Sequence, residues 1–261
     1  MATDKLEINA NTIIAAKRRR VALRQDQVPI NAIIALANMQ KGSQSILTEV
    51  SMADDPVKVI GQIRHEDIYD PVAAALRYIR HGTDAIALFT DKKVYSKGMD
   101  DLTFISRGIN IPIICQDYII NSYHVAEARA AGASAVVIYS DLLEYNQLRD
   151  VVSNTMRWRM TAIVQVNSEQ QLADAALLSP HVIAVGSGQT FNKDTDLDTL
   201  RRLRPYIPYN TRVMPMGCLN NINTIKAVID IGVDAITVDE RLLNHKLNRQ
   251  RLHNLIHPNG E

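Results

Sequence analysis

A chain of 261 residues with a formal net charge of +1 has no excess positive charge that would favour nucleic acid as a partner. Its content of 46% hydrophobic and 22% charged residues is typical of a globular protein that buries a large core. Two cysteines, Cys115 and Cys218, lack metal-ligand spacing and predict a reducing compartment without a disulfide framework. No stretch approaches the roughly 18 apolar residues of a membrane span, and the first residues lack an apolar signal region. We therefore expect no membrane span and a cytoplasmic location, with a processed organellar protein as the alternative.

The first predicted elements are two helices. Apolar residues at helical spacing predict an amphipathic helix over Ala10–Gln25, and Pro29 begins a second helix over Ile30–Ala37. The run Lys17–Arg20 favours a solvated charged face of the first helix over a patch that contacts phosphate. The polar, turn-rich stretch Gly42–Pro56 predicts an irregular segment that leads into the rest of the chain.

From Val57 onward, short apolar runs alternate with helical patterns. Buried strands are predicted at Val57–Ile63, Asp84–Phe89, Ile111–Cys115, Ala135–Tyr139, Thr161–Val166, Val182–Val185, Arg212–Met216 and Ala235–Val238. Helices are predicted at Pro71–His81, Asp100–Arg107, Asn121–Ala131, Leu142–Thr155, Glu169–Leu178, Leu197–Arg204, Ile222–Ile231 and Leu242–Ile256. This alternation without hairpins predicts an α/β fold, a (β/α)8 TIM barrel over residues 57–261, with an amino-terminal helical extension over 1–56 in a single domain.

The functional site of such a barrel lies at the carboxyl ends of its strands. Those ends present one fixed cation, Arg64, among carboxylates that include Asp91, Asp117, Asp239 and Glu240. Asp239 and Glu240 open the last loop, where two carboxylates beside a helix amino terminus would repel a phosphate dianion. Ordinary acidic N-capping of the helix is the simpler interpretation, and it leads to the same exclusion. An acidic mouth of this kind suits a neutral or cationic small molecule.

Motifs in most of the chain resemble those of the indole-3-glycerol phosphate synthases. They include VIGQIR, AIALFTDKKVYSKGMDDL, VQVNSEQQLADAA and GVDAITVDERLL, in family order across residues 10–256. The most specific is PIICQDYIINSYHVAEARAAGASA, where the family pattern is close to P-[VI]-L-R-K-D-F-I-I-D-x-Y-Q-[IV]-x-E-A-R-A-x-G-A-D-A. The resemblance implies a (β/α)8 barrel with an extra amino-terminal helix. It also implies decarboxylation and ring closure of a carboxyphenylamino-deoxyribulose phosphate in tryptophan biosynthesis, without a metal or an organic cofactor.

This chain departs from the pattern where the resemblance implies catalytic residues. The glutamate and lysine of the family's A-E-I-K strand fall on Gln62 and Arg64, the third-strand lysine on Gln116, and the fifth-strand glutamate on Gln165. A carboxamide cannot release a proton near neutral pH, and a positioned acid or base typically contributes about 10²–10⁴ in rate. Loss of both groups therefore predicts a pseudoenzyme.

Substrate-holding positions of the family also differ. The sixth and seventh loops, I-N-N-R and S-E-S-G in the family, contain Gly186, Gly188 and Pro215 here. The positions equivalent to the phosphate site are Asp67, Gly217, Asp239 and Glu240. In an enzyme, binding energy from a remote phosphate group can be used to lower the barrier of the reaction. The loss of the phosphate site therefore strengthens the pseudoenzyme hypothesis.

Three functions follow from these departures. The first is a non-catalytic binding or assembly module whose partner is another protein, with a candidate surface formed by Arg157, Trp158 and Arg159, since tryptophan and arginine are enriched in binding hot spots. Packing of Trp158 between the fourth helix and the fifth strand is the structural alternative.

The second function is an active synthase or related carboxy-lyase with a rearranged set of Arg64, Asp91 and Asp117. The third is a sensor that binds a small molecule in the barrel mouth. Cys115 at the end of the third strand is a further candidate nucleophile, although a buried thiol is favoured because no histidine is placed to activate it.

Overall fold

The computed structural model describes residues 10–44, 46–47, 56–64, 70–91, 97–186 and 195–257. Its strands are β1 (Lys58–Ile63), β2 (Ala85–Phe89), β3 (Ile113–Gln116), β4 (Ala135–Tyr139), β5 (Thr161–Val166), β6 (Val182–Val185), β7 (Arg212–Pro215) and β8 (Ala235–Val238). Its helices are α1 (Ala10–Gln27), α2 (Ile30–Asn38), α3 (Pro71–Arg80), α4 (Gly98–Gly108), α5 (Ser122–Ala130), α6 (Tyr145–Arg157), α7 (Glu169–Ala176), α8 (Leu197–Leu203), α9 (Ile222–Asp230), α10 (Glu240–Asn244) and α11 (Lys246–Ile256).

The strands form one parallel sheet that closes on itself. The hydrogen-bonded order runs β7-β6-β5-β4-β3-β2-β1-β8, so each strand lies beside its neighbour in sequence. The two ends of this order, β7 and β8, are joined by hydrogen bonds from Asp234 N to Val213 O and from Leu219 N to Thr237 O, both at 2.7 Å. The predicted TIM barrel and its amino-terminal helix are confirmed.

Alternation along the strands separates two hydrophobic layers. Leu88 and Val164 belong to a cluster that packs the outer face of the sheet against the surrounding helices. Ile60, Ile114 and Ile163 belong to a second cluster that fills the barrel interior. Because side chains on a strand alternate between faces, the residue two positions after each of these isoleucines also points into the barrel.

Three predicted helix ends coincide with glycines in the left-handed region. Gly82, Gly132 and Gly232 have φ values of 81°, 100° and 86°. Glycine adopts this conformation without the steric cost that a Cβ would add, so these residues end the helices before β2, β4 and β8.

Two predicted helices differ from the structure. The segment predicted as one helix over Leu242–Ile256 is two helices, because His245 adopts an extended conformation with φ −87° and ψ 114°. The Arg249 guanidinium donates to the Leu243 carbonyl, which replaces a hydrogen bond lost at the break. The helix predicted from Leu142 begins instead at Tyr145, after a 3-10 turn over Ser140–Leu142.

Helix α1 packs over the carboxyl ends of the strands, since Ile14 and Val21 join the interior cluster. Helix α2 packs against α5. Within the described ranges, no helix is both long enough and apolar enough to cross a membrane. The division into an extension over residues 1–56 and a barrel over 57–261 stays a prediction.

Candidate functional site

Carboxamides occupy the interior carboxyl ends of β1, β3 and β5. Gln62, Gln116 and Gln165 are buried, and each follows an interior isoleucine by two positions. Gln62 Nε2 donates to the carbonyls of Ile63 and Ala87, both at 3.3 Å. The barrel therefore places neutral side chains at the mouth ends of three alternate strands.

The orientation of the Gln165 amide is fixed by its partner. Gln165 Nε2 donates to the Gly186 carbonyl, which can accept but cannot donate. Its other atom, Gln165 Oε1, and the Oε1 atom of Gln116 accept no hydrogen bond from any residue in the described ranges. The carboxamides at β3 and β5 thus present buried acceptor oxygens.

A lysine from α1 reaches the same end of the barrel. Lys17 is 5% exposed, and its Nζ donates to Asp91 Oδ2 at 2.9 Å and to Asp117 Oδ1. Arg20 adds two hydrogen bonds to Asp91, at 3.1 and 2.8 Å, and Thr90 Oγ1 donates to Asp117 Oδ2 at 2.9 Å. We call Lys17, Arg20, Asp91 and Asp117 the clamp, because they join α1 to the ends of β2 and β3.

The prediction of a solvated face for Lys17–Arg20 is wrong at both ends of the run. Only Arg18 and Arg19 are exposed, whereas Lys17 lies on the buried face between Ile14 and Val21. Residues three and four apart share a helix face, so this spacing is the signal that identifies Lys17 as buried. A lysine on an apolar face requires a carboxylate partner when it is buried.

The carboxylates of the eighth loop are both bound by the protein. Asp239 caps α10 by accepting from Leu242 N at 3.1 Å, and its Oδ2 lies 4.0 Å from Arg64 Nη2. Glu240 pairs with Arg77 Nε at 2.7 Å. The acidic N-capping interpretation is confirmed for Asp239. Arg64 lies near Asp239 at the end of β8, whereas Asp91 and Asp117 bind residues of α1.

The two thiols are packed and protonated. Cys115 is fully buried with Sγ 3.2 Å from Thr90 Oγ1, and burial raises its pKa to about 12. Burial, with the Asp239 charge next in importance, raises the pKa of Cys218 to about 12 as well. Thiols of this kind react poorly because the thiolate is the nucleophile. The buried-thiol interpretation of Cys115 is confirmed.

Of the remaining predicted positions, those that are described lie together at the ends of the neighbouring strands β6 and β7, where Val185 pairs with Pro215. Gly186 and Gly217 have φ values of 136° and 109°, a region that favours glycine, and Pro215 ends β7. Asp67 and Gly188 lie outside the described residues. Among the residues that are described, no group of three or more histidine, cysteine or acidic side chains could hold a metal ion.

The candidate partner surface lies far from the mouth along the barrel axis. Trp158 follows α6 directly and precedes β5, so it is at the amino-terminal end of the strands. Its ring is half-buried and packs against both hydrophobic clusters, as the structural alternative expected. Arg157 and Arg159 are exposed beside it. Their role in binding a partner stays a prediction.

A buried histidine lies beside the clamp. His124 is 4% exposed, and its Nε2 lies 4.0 Å from Glu127 Oε2. Burial, followed by the charge of Lys17, lowers the pKa of His124 to about 4. The imidazole is therefore neutral near neutral pH.

Acidification is expected to destabilise the fold through His124. The unfolded chain, with a histidine pKa near 6.5, binds a proton that the folded chain excludes until about pH 4, so stability is lost as the pH falls between these values. Between about pH 7.5 and 5, wild type should lose about 2 kcal/mol more unfolding free energy than His124→Gln. Urea titrations at both pH values measure this difference, and equal losses in the two proteins would contradict it.

Comparison with known proteins agrees with this architecture. The family model for indole-3-glycerol phosphate synthase matches residues 10–255. The chain belongs to the indole-3-glycerol phosphate synthase family. It is similar to the indole-3-glycerol phosphate synthase of Oceanobacillus iheyensis, with 26% identity over 91% of this chain and 89% of the relative. The Chlorobium luteolum indole-3-glycerol phosphate synthase is 25% identical over 90% of this chain and 92% of the relative.

Solved structures support the fold alone. A 3-hexulose-6-phosphate synthase superposes with a TM-score of 0.61 at 14% identity, over 77% of this chain and 100% of that chain. The Pyrococcus furiosus thiamine phosphate pyrophosphorylase gives a TM-score of 0.55 at 17% identity, over 78% of this chain and 97% of that chain. Membership of the synthase family confirms the resemblance found in the motifs. The equivalence of Gln62, Gln116 and Gln165 with catalytic positions of the family stays a prediction.

Proposed function

We propose that this chain is a non-catalytic member of the indole-3-glycerol phosphate synthase family that binds or assembles with another protein. The observation that supports this most strongly is the set of buried carboxamides at the ends of β1, β3 and β5. Gln116 and Gln165 stand where the family pattern has the lysine acid and the glutamate partner. The site can hydrogen-bond a ligand but has no proton to exchange at these positions.

The Gly186 backbone adds a second obstacle to family chemistry. Its φ of 136° disfavours the asparagine of the family pattern, and a Cβ there would lie 3.1 Å from Met216 Cβ. The Gly186 carbonyl also accepts the Gln165 amide. The sixth loop is therefore built around a glycine and a glutamine together.

An active synthase with a rearranged site is the second candidate. Lys17 favours it, because its ammonium lies at the mouth beside Asp91 and Asp117. The relatives named as synthases favour it too. Against it, the Lys17 ammonium already donates hydrogen bonds to both carboxylates, so these groups serve to hold α1 against the barrel. A sensor that binds a neutral molecule against Gln116 and Gln165 is the third candidate.

Growth of a tryptophan auxotroph that lacks its own synthase tests the proposal in cells. We expect that this chain, expressed as a folded protein, does not support growth without tryptophan. The Oceanobacillus iheyensis synthase, expressed to the same level, is the positive control. Growth at a comparable rate with this chain would favour the active synthase with a rearranged site.

We also propose that the protein is located in the cytoplasm.

A further inference from the structure

Three loops at the amino-terminal ends of neighbouring strands form one continuous part of the surface. They are residues 157–160 before β5, 177–181 before β6 and 204–211 before β7, and we call them the basal loops. Ala162 N in β5 donates to His181 Nδ1 at 3.2 Å, and Arg212 N in β7 donates to the His181 carbonyl at 3.1 Å. The middle loop is therefore hydrogen-bonded to the strands on both sides of it.

The basal loops carry large apolar side chains that the barrel does not bury. Leu177, Tyr206 and Tyr209 are 74%, 69% and 89% exposed. Among the described residues, they are three of the four most exposed large hydrophobic side chains. Single exposed apolar residues need no explanation, whereas a group of them on one part of a surface marks an interaction site. Tyrosine is also one of the residue types enriched in binding hot spots.

The charged side chains of the basal loops are all cationic. The loops contain Arg157, Arg159 and Arg204, and they contain no aspartate or glutamate. Arg157 and Arg159 are exposed, and neither forms an ion pair with a residue in the described ranges. In the next loop around the barrel, the Asp234 carboxylate already binds Arg212 Nη1 at 3.0 Å. Carboxylates from a partner would therefore complement the charge of this surface.

The backbone of Arg159 indicates that its side chain has a role outside the fold. Its φ of 57° lies in the left-handed region that Gly82, Gly132 and Gly232 adopt at other helix ends. Glycine would adopt this conformation without the steric cost that a Cβ adds. The helix dipole explains a cation at Arg157, the last residue of α6, but its effect falls off beyond the last turn. Binding of a partner accounts for an arginine at position 159.

We propose that the basal loops bind an acidic segment of another protein. Apolar side chains of that segment cover Leu177, Tyr206 and Tyr209, and its carboxylates pair with Arg157 and Arg159. Arginine binds a carboxylate through two parallel hydrogen bonds, so these pairs add specificity as well as affinity. The inference rests on the proposed function, and it names the binding surface and the chemistry of the partner.

Photo-cross-linking in the cells that make the protein tests this surface. The photoreactive amino acid p-benzoylphenylalanine replaces Tyr209 in the full-length chain, and in the matched control it replaces Phe104. Phe104 is also aromatic and is 56% exposed, but it lies on α4, outside the basal loops. Light should join the Tyr209 probe to one protein, through a peptide with more acidic than basic residues. The Phe104 probe should not be joined to that protein.

Substitutions of the two arginines separate binding from folding. Arg157→Glu combined with Arg159→Glu should reduce the product of the Tyr209 probe at least about tenfold, because like charges then face each other. Arg159→Gly should also reduce this product, and it should raise the urea concentration at the midpoint of unfolding because it relieves the strained backbone. The control is Arg18→Glu, exposed on α1, which should leave the amount of product unchanged.

Four results would overturn the proposed surface. They are no protein joined to the Tyr209 probe, a joined peptide without an excess of acidic residues, a product that nucleases remove, or a lower midpoint of unfolding in Arg159→Gly. A protein joined only to the Phe104 probe would contradict this surface and leave the proposed function standing. A chain that is joined to no protein at either position, and that forms indole from carboxyphenylamino-deoxyribulose phosphate, would contradict the proposed function as well.

Discussion

Replacement of Lys17 by methionine is expected to destabilise the protein by about 3–5 kcal/mol. The substitution leaves the carboxylates of Asp91 and Asp117 buried, at 0% and 1% exposure, without the ammonium that binds both. Arg20 still neutralises Asp91, so most of the expected loss of stability comes from the uncompensated charge of Asp117. Breaking a buried ion pair costs more than the pair contributes, because one charge remains in a medium that solvates it poorly.

Urea unfolding measures this loss, and Arg18→Met is the matched control. Arg18 is the next residue on the same helix and is exposed, so its loss should change the free energy of unfolding by less than about 0.5 kcal/mol. Equal effects of the two substitutions would show that the clamp contributes nothing specific to stability.

Gly98→Ala is expected to cost about 3 kcal/mol, the upper part of the usual range for overpacking. A Cβ at Gly98 would lie 2.5 Å from Thr90 Cα and 2.9 Å from Phe89 O. Both are backbone atoms, so β2 or the start of α4 must move. Thr90 donates to Asp117, and its displacement would also weaken the clamp.

The control for this substitution is Gly42→Ala, where a Cβ meets nothing within 4 Å. Gly42 is exposed, and no effect beyond about 0.5 kcal/mol is expected there. Thermal unfolding of both variants gives the comparison. A Gly98→Ala protein as stable as the control would mean that the contact between α4 and β2 is loose.

The barrel could be predicted from sequence because the residue pattern of each strand and each helix is local in the chain. The strands Ala135–Tyr139 and Thr161–Val166 have the predicted bounds, since buried parallel strands are continuous apolar runs ended by polar residues. The carboxamides could also be placed at the mouth, because a strand end in a (β/α)8 barrel has a fixed location.

The clamp could not be predicted in the same way. Asp91 and Asp117 lie 74 and 100 residues from Lys17, so their pairing depends on how α1 docks onto the barrel. In the sequence, Lys17 belongs to a run of four cations, and only its position between Ile14 and Val21 distinguishes it. The break at His245 could not be predicted because the helical pattern continues through Leu242–Ile256; in the structure the Arg249 guanidinium donates to the Leu243 carbonyl beside the break.

The most direct test of the non-catalytic proposal is a single-turnover experiment with purified protein in excess over carboxyphenylamino-deoxyribulose phosphate. With Gln116 and Gln165 unable to exchange protons, indole ring formation should not exceed about 10⁻³ s⁻¹. Conversion on the order of 1 s⁻¹, the range of ordinary enzymes, would contradict the account and make Lys17 the first residue to examine as a replacement acid.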